Sequence, residues 1–203
     1  MCYKGPVPKV VDPAERRREL TAAVWRVIRR DGLDQASVRN VAREAGVSMG
    51  SLRHYFATQS ELLVFALQVI IDRIETRIAT LPTEPESRRQ AERVLAELLP
   101  MDAERAAENE VWLAFTARAM VDPGLRALRD RSHDTLREGC RAVVRRLAGG
   151  DGAGTDVELE ADRLHSLIDG LAVHAAMRPD VTTSERMRVI IARHLDELER
   201  TVR

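Results

Sequence analysis

The sequence has little that would place the protein outside a reducing cytosol. Only two of its 203 residues are cysteines, Cys2 and Cys140, and they form no metal-ligand or redox spacing. The first residues, MCYKGPVPKVVD, lack the apolar core of a secretory signal, and no apolar run approaches the ~20 residues that a membrane span needs. We therefore expect a cytoplasmic protein with no membrane partner.

Motifs that support catalysis or cofactor binding are also absent. The chain has no Gly-x-Ser-x-Gly turn, no glycine-rich phosphate loop and no His-Glu-x-x-His zinc motif. His165 and Asp169 stand four residues apart, but two ligands do not make a metal site, and the sequence offers Cys140 no activating base. We therefore expect no enzyme, no metal and no cofactor. A helical adaptor that binds only protein is the other alternative.

Charge is unevenly distributed along a chain whose net charge is zero. Residues 1–60 hold 11 Lys and Arg against 6 Asp and Glu, whereas residues 61–203 hold 21 basic against 26 acidic residues. A basic N-terminal segment followed by an acidic remainder is the distribution that a DNA contact at one end requires. The alternative is chance variation among solvated helix faces.

Helix-forming residues dominate the sequence, and alternating β-branched runs are absent, so we expect an all-α fold. Helix starts are indicated by Asp12-Pro13-Ala14-Glu15 and by Thr-x-x-Glu capping boxes that begin at Thr58, Thr83, Thr155 and Thr182. The stretch GGDGAGTD (149–156) predicts a loop. Nine helices are predicted, at about 13–31, 38–45, 49–55, 59–80, 86–99, 103–121, 123–147, 157–177 and 184–202.

Residues 37–56, SVRNVAREAGVSMGSLRHYF, predict two short helices joined by a tight turn. Ser37 and Ser48 are suited to cap the two helices, and Gly46 permits the left-handed backbone that the turn needs. Leu52 and Phe56 are expected to face inward. The second helix would then expose small, polar and aromatic side chains, as the recognition helix of a helix-turn-helix does.

Two parts of the chain resemble a known family. The stretch VRNVAREAGVSMGSLRHYFATQSELL (38–63) resembles the DNA-binding region of the tetracycline-repressor (TetR) family, and the match extends over roughly residues 13–65. The segments LLPMDAERAAENEVWLAFTARAMVDPGLRAL (98–128) and LIDGLAVHAAMRP (167–179) resemble the effector domain of the betaine-regulator (BetI-type) branch. The resemblance implies a DNA-binding domain at 1–58 and an effector-binding and dimerisation domain at 59–203.

The function that this resemblance implies is transcriptional regulation. We expect a repressor that binds a near-palindromic, double-stranded operator as a homodimer and is released by a small-molecule effector; activation is the alternative. Twofold symmetry would present two recognition helices about 34–36 Å apart.

The resemblance also implies which residues contact DNA. Family members often carry Tyr where this chain has Arg53, which suggests a new base contact, and Lys where it has Gln59, which removes a phosphate-binding charge. Lys4 and Lys9 lie on an N-terminal arm that would enter a minor groove or stay disordered. The expected DNA contacts are Arg39, Ser48, Gly50, Ser51, Arg53, His54, Tyr55 and Gln59.

Helices four to seven, partly closed by helix eight, enclose a ligand cavity in the family that the chain resembles. Aromatic and methionine side chains suit such an adaptable apolar pocket, and His133, Asp169 and His174 are candidate polar anchors. The alternative is an ordinary hydrophobic core. The expected lining residues are Phe65, Val69, Trp112, Phe115, Met120, His133, Leu136, Cys140 and His174.

Long apolar stripes run along the last two predicted helices. In the resembling family these helices pair with their symmetry mates into a four-helix bundle, whereas the alternative is that the stripes cover the core of a single chain. The expected dimer contacts are Leu164, Leu167, Ile168, Leu171, Ala175, Ile191, Leu195 and Leu198.

Overall fold

The computed structural model describes residues 13–149 and 156–201, and the regular structure in these ranges is entirely helical. The all-α prediction is therefore confirmed. Short 3-10 turns at Leu33–Gln35 and Pro123–Leu125 precede the second and seventh helices. The α-helices are α1 (Pro13–Asp31), α2 (Val38–Glu44), α3 (Met49–Arg53), α4 (Gln59–Ala79), α5 (Ser87–Glu97), α6 (Ala103–Val121), α7 (Arg126–Ala148), α8 (Val157–Met177) and α9 (Ser184–Thr201).

The capping box predicted at the start of α4 is confirmed. The Thr58 hydroxyl accepts a hydrogen bond from the Glu61 backbone N–H at 3.1 Å, and the Glu61 carboxylate accepts one from the Ala57 backbone N–H at 2.7 Å. These two bonds satisfy amide donors that no preceding helical turn can satisfy.

The caps of three later helices differ from those predicted. Glu86, not Thr83, is the N-cap of α5 and makes no side-chain cap bond. Asp156 caps α8 by accepting from Leu159 N–H at 3.1 Å, and Thr183, not Thr182, caps α9 by accepting from Arg186 N–H at 3.2 Å. Adjacent Asp and Thr residues compete for the same cap, and spacing to a glutamate does not decide between them. Asp12 and Thr155 lie outside the described residues.

The chain divides into two compact units, and the division falls between Leu62 and Leu63, within α4. The N-terminal unit buries apolar residues from α1, α2, α3 and the start of α4. Glu44 at the end of α2 accepts hydrogen bonds from Arg26 at 2.7 Å and Arg30 at 2.8 Å, which fixes α2 against α1. The buried side chains of this unit are Leu20, Ala23, Val24, Val27, Ile28, Ala36, Val41, Ala42, Leu52, Phe56 and Leu62.

Two apolar clusters lie among the described residues of the C-terminal unit, which runs from Leu63 onward. The smaller one contains Leu67, Phe115, Ala119 and Leu125, with Trp112 packed against it. The larger cluster is built from α5, α7, α8 and α9 and contains Ala91, Leu95, Leu99, Cys140, Val143, Val144, Ala161, Leu164, Ile168, Leu171, Ala175, Met187, Ile191, Leu195 and Leu198.

No described helix is long and apolar enough to cross a bilayer.

The expected dimer contacts on α8 and α9 need correction. Leu167 is only partly buried, but the other seven side chains are buried inside a single chain, each 8% exposed or less. These side chains are enclosed mainly by their own chain, which supports the alternative of an internal core for them. The corrected residues are Leu164, Ile168, Leu171, Ala175, Ile191, Leu195 and Leu198.

Leu195→Ala tests this assignment, because Leu195 is fully buried in the larger cluster. We expect the free energy of unfolding to fall by about 2–5 kcal/mol through lost burial and a residual cavity. Val189→Ala on the same helix is the control, since Val189 is 49% exposed. Denaturant titration at one fixed protein concentration measures both, because dimer formation would make stability depend on concentration. Equal, small effects would show that Leu195 is not a core residue.

Candidate nucleic-acid interface and ligand cavity

A glycine turn joins α2 to α3 as predicted. Gly46 has φ +66°, in the left-handed region that favours glycine. Its N–H donates to the Arg43 carbonyl at 3.2 Å, and the Val47 N–H donates to the Ala42 carbonyl at 3.0 Å. This pair of bonds is the Schellman motif, which satisfies the last carbonyls of α2 and sends the chain directly into the next helix.

Serine caps fix the starts of both short helices, as predicted. The Ser37 hydroxyl accepts from the Asn40 N–H at 3.2 Å, and the Ser48 hydroxyl accepts from the Ser51 N–H at 3.0 Å. Leu52 on α3 is buried. Because this inward face fixes the rotation of α3, the remaining positions of the helix are available to a partner.

The other expected DNA-contact residues lie mainly at the surface. Ser51 is partly buried, whereas Arg39, Ser48, Gly50, Arg53, His54 and Tyr55 are exposed. A Cβ added at Gly50 would meet only the Ser48 hydroxyl, at 3.9 Å, so packing within the chain does not require a glycine there. Met49, the first residue of α3, is also exposed. It is not among the expected DNA contacts, because its side chain has no polar group to suggest one. The Gln59 side chain, Lys4 and Lys9 lie outside the described residues.

Electrostatics distinguish two arginines on this surface. Arg26 and Arg30 are held by Glu44, and Arg43 donates to the Asn40 side chain at 2.9 Å. Within the described part of the chain, neither Arg39 nor Arg53 has an ionic or hydrogen-bonding partner for its guanidinium. The Asn40 amide is neutral and leaves the charge of Arg43 uncompensated, but Arg39 and Arg53 also have all their N–H donors available for phosphate or the acceptor atoms of a base edge.

A cavity of about 870 Å³ lies within the C-terminal unit. Residues of α4, α5, α6, α7 and α8 line it, in agreement with the helices that the resemblance implied. Most of its wall is aliphatic, including Ile71, Ile74 and Ile78 on successive turns of α4. Of the nine expected lining residues, Trp112 and Leu136 line it.

The other seven expected lining residues lie elsewhere. Those that are packed in the interior are Phe115, Val69, Cys140 and the partly buried Phe65, and those at the surface are Met120, His133 and His174. The cavity-facing residues of α6 are Arg105, Glu108, Asn109 and Trp112, so the helix turns charged as well as apolar side chains toward the space. Sequence reasoning selected aromatic and methionine residues by type, and most of these point away from that face.

Three helices meet in an ion-pair network at the cavity wall. Glu108 on α6 is 3% exposed, and its carboxylate accepts from Arg77 at 2.6 and 2.8 Å and from Arg73 at 3.0 Å. Glu97 on α5 accepts from Arg77 at 2.7 Å and from Arg105 at 2.6 and 3.1 Å. Sequence reasoning missed this network, although acidic residues within the apolar patterns of α5 and α6 were a signal of it.

Two opposing effects act on the pKa of Glu97. Burial alone would raise the pKa of the Glu97 carboxyl, but hydrogen bonds from Arg105 and Arg77 outweigh burial and hold the pKa below its usual value. Glu97 is therefore ionised in the folded protein at neutral pH.

A second polar group of the cavity wall is Asp169 on α8. His165 Nε2 lies 3.4 Å from its carboxylate, and the His133 ring lies 4.7 Å from the His165 ring. Burial raises the pKa of the Cys140 thiol to about 12, so this cysteine is not a thiolate at neutral pH. No group of three or more His, Cys, Asp or Glu side chains suited to a metal ion occurs in residues 13–149 and 156–201.

Two family models match the chain. Residues 20–64 match the model described as bacterial regulatory proteins, tetR family, and residues 85–199 match that of the BetI-type transcriptional repressor, C-terminal. The first match covers the helix-turn-helix, and the second covers α5 to α9.

Individual proteins agree with these models. The HTH-type transcriptional regulator PksA of Bacillus subtilis is 37% identical over 195 residues, which is 95% of this chain and 94% of PksA. A transcriptional regulator of Rhodococcus sp. Rha1 has a crystal structure with a TM-score of 0.76 and 32% identity, covering 91% of this chain and 96% of that one. The multidrug binding protein EbrR, solved with ethidium, gives a TM-score of 0.63 and 28% identity over 89% and 98% of the two chains.

Glu97→Gln tests the ion-pair network through pH. At pH 7 we expect the variant to lose about 1–3 kcal/mol of unfolding free energy, because two guanidinium groups lose a charged acceptor. The folded pKa of Glu97 is depressed, so its contribution is complete above the unfolded pKa of about 4.3 and is lost as pH falls through the folded pKa.

The measurement is urea titration of both proteins from pH 7 to pH 3. The gap between wild type and Glu97→Gln should be constant above about pH 5 and should close at lower pH. Glu185→Gln is the control, since the Glu185 side chain is 79% exposed and lies 3.7 Å from Arg188. A gap that widens on acidification would contradict a depressed pKa.

Proposed function

This chain belongs to the TetR family of bacterial transcriptional regulators, and we propose that it is a repressor that binds a near-palindromic operator as a homodimer and leaves it when a small molecule binds. The observation that carries the proposal is a pair of guanidinium groups, Arg39 on α2 and Arg53 on α3, that stand on either side of the glycine turn and have no partner among the described residues. These two groups give the N-terminal unit a basic surface that suits a polyanion, although the net charge of the chain is zero.

On the DNA side, each exposed group has a role that its chemistry suits. Arg53, at the end of α3, is long enough to bond O6 and N7 of a guanine, the commonest arginine contact in a major groove. Arg39 and Tyr55 are suited to phosphate oxygens. Gly50 has no side chain, so the backbone of α3 can approach the groove closely. Ser48, whose oxygen caps the helix, still has a hydroxyl proton to donate.

Dimerisation is proposed through the outward faces of α8 and α9, not through their buried stripes. Leu167, Gly170, Val173 and Met177 follow one another at helical spacing along α8, and Val173 and Met177 are 37% and 71% exposed. A shallow depression beside them is lined by Leu167 of α8 and His194 of α9, among others. A second copy of this face would cover these apolar groups under twofold symmetry.

Effector control is proposed through the cavity. Its volume lies within the range of small-molecule sites, and EbrR shows that a related chain with this fold binds an organic ligand. Four isoleucines of α4 line the cavity, while the first residues of the same helix belong to the N-terminal unit. A ligand that favours one position of α4 would change the spacing of two DNA-binding units, with a coupling of about 1–3 kcal/mol.

Selection of bound duplexes from a random DNA pool tests the DNA-binding proposal. We expect wild type to enrich a near-palindrome. Arg39→Ala should weaken all sequences about tenfold and reduce the salt dependence of binding, because a phosphate contact is lost. Arg53→Ala should instead relax the preference at one base pair of each half-site by about 1–3 kcal/mol. Arg126→Ala, an exposed arginine of α7, is the control. No enrichment by a folded wild-type protein would refute the proposal.

Val173→Asp tests the dimer face. Placing a carboxylate in the proposed interface should convert the dimer to a monomer in sedimentation experiments, with helix content unchanged, because the charge would be buried without a partner. Val121→Asp makes the same substitution at a residue of α6 that is 75% exposed, and it should remain dimeric. A dimeric Val173→Asp protein, or a monomeric wild type, would rule out this interface.

A further inference from the structure

One titratable side chain of the proposed dimer face is His194 on α9. It borders the depression between α8 and α9 together with Leu167, Asp162, Arg163 and Ser166 of α8. Its side chain is partly buried, and its Nε2 atom is enclosed by the chain without a hydrogen-bond partner among the described residues. Such a nitrogen is unusual, because enclosed polar atoms normally have a partner.

This enclosed nitrogen makes the protonated form of His194 costly. A neutral imidazole can keep its single proton on Nδ1 and leave Nε2 as an acceptor, whereas an imidazolium carries a proton on both nitrogens. The second N–H would then be enclosed without an acceptor, in a ring that is also charged. The folded chain therefore binds a proton on His194 less readily than an unfolded chain does.

The carboxylates around His194 do not offset this cost, because each already accepts a hydrogen bond from an arginine. The charges that act on the ring come from α8 and from α9 itself, although α5 and α7 also pack against α9. The pairs are Glu160 with Arg163 at 2.7 Å, Asp162 with Arg137 at 2.6 Å and Glu197 with Arg193 at 3.3 Å.

Burial lowers the pKa of His194, and the charge of Arg163 lowers it further. The charges of Glu160 and Glu197 oppose this shift only in part. The ring is therefore neutral at pH 7 in a single chain. A second copy on this face would remove more water from the ring. Under twofold symmetry it presents the same face, so the carboxylates that it brings are already paired as well.

We propose that His194 makes dimerisation depend on pH, so that acidification separates the two copies and releases the operator independently of the cavity. The inference rests on the proposed dimer face and names the proton as a second signal that regulates it. Its physical basis is that a charged, enclosed ring is tolerated less well under a second copy than at the surface of a single chain.

The direction of the effect follows from proton binding. Separated chains bind a proton on His194 more tightly than the dimer does, so dissociation takes up protons and is favoured as the pH falls. The pKa in the separated chain is already below the ordinary value of 6.5, so the dimer should respond only below that pH. Two rings titrate in each dimer, so the dissociation constant rises by up to about 100-fold per pH unit.

A second histidine has to be distinguished from His194. Burial also lowers the pKa of His165 on α8, whose ring lies 4.7 Å from that of His133 on α7. His165 is buried inside the chain, so its protonation would destabilise the fold rather than the dimer face. The dissociation constant and the stability of the fold must therefore be measured separately.

Sedimentation equilibrium of the full chain without DNA, from pH 7.5 to pH 5.0, tests the inference. We expect the wild-type dissociation constant to stay level above about pH 6.5 and to rise at least about tenfold by pH 5.0. His194→Gln keeps a polar side chain that does not titrate, so its dimer should not respond to pH. His133→Gln, at a side chain that is 61% exposed, is the matched control and should retain the acid response. Urea titration at each pH establishes that the chain remains folded.

Three results would overturn the inference. They are a wild-type dimer that does not weaken down to pH 5.0, a dimer that tightens on acidification, and an acid response that persists in His194→Gln. Where His194→Gln fails to fold, dilution calorimetry of wild type at pH 5.5 in two buffers of different ionisation enthalpy decides the question. Proton uptake on dissociation supports the inference, and dissociation without proton uptake contradicts it.

Failure of the proposed function is distinguishable from failure of this inference. A wild-type protein that is monomeric at every pH refutes the dimer face and the inference together, whereas a stable dimer that ignores pH refutes the inference alone. Gel shift of the selected operator at pH 7.5 and pH 5.0 then measures the consequence. We expect wild type to release the operator at the lower pH and His194→Gln to retain it. Equal release by both proteins would contradict control through His194.

Discussion

The buried carboxylate of Glu108 is the constraint on which the C-terminal unit depends. Removing one partner from a buried ion pair costs several kcal/mol, so Arg73 and Arg77 of α4 must stay beside it. Arg77 also bonds Glu97, which in turn bonds Arg105, so α4, α5 and α6 are fixed at one wall of the cavity. Moving one of these helices away from the others would leave a buried charge without its partner, so the ion pairs oppose such a movement.

This constraint also gives the two kinds of acidic residue in the cavity different chemistry. Glu97 lies between two arginines and has a depressed pKa, whereas burial beside a neutral histidine raises the pKa of Asp169. The first contributes to the stability of the fold, whereas the second has an imidazole, His165, as its only ionic partner among the described residues. Composition alone does not separate them, since both are acidic residues on largely apolar helix faces.

The sequence predicted the helices and the DNA-facing turn well because their causes are local. Gly46, Ser37 and Ser48 act on backbone atoms only a few residues away, so spacing along the chain is enough to identify them. Helical periodicity also shows which side chains are buried, but not what covers them. Leu164 and Leu195 were therefore assigned to a partner although their own chain encloses them. The ion pairs that join α4 to α5 and α6 link residues 20–35 positions apart, a separation at which periodicity carries no information.

The proposed release mechanism requires that operator binding depend on both protomers together. Arg26 and Arg30 are paired with Glu44, whereas Arg39, Arg43 and Arg53 have no acidic partner among the described residues and keep their charge for the operator. Two linked units bind two half-sites much more tightly than either unit binds one, so the spacing of the units controls affinity. A ligand that only alters the spacing of the two units would then remove that joint engagement. A coupling of about 1–3 kcal/mol, or 5–150-fold, is enough for this purpose, and no large rearrangement of the fold is required.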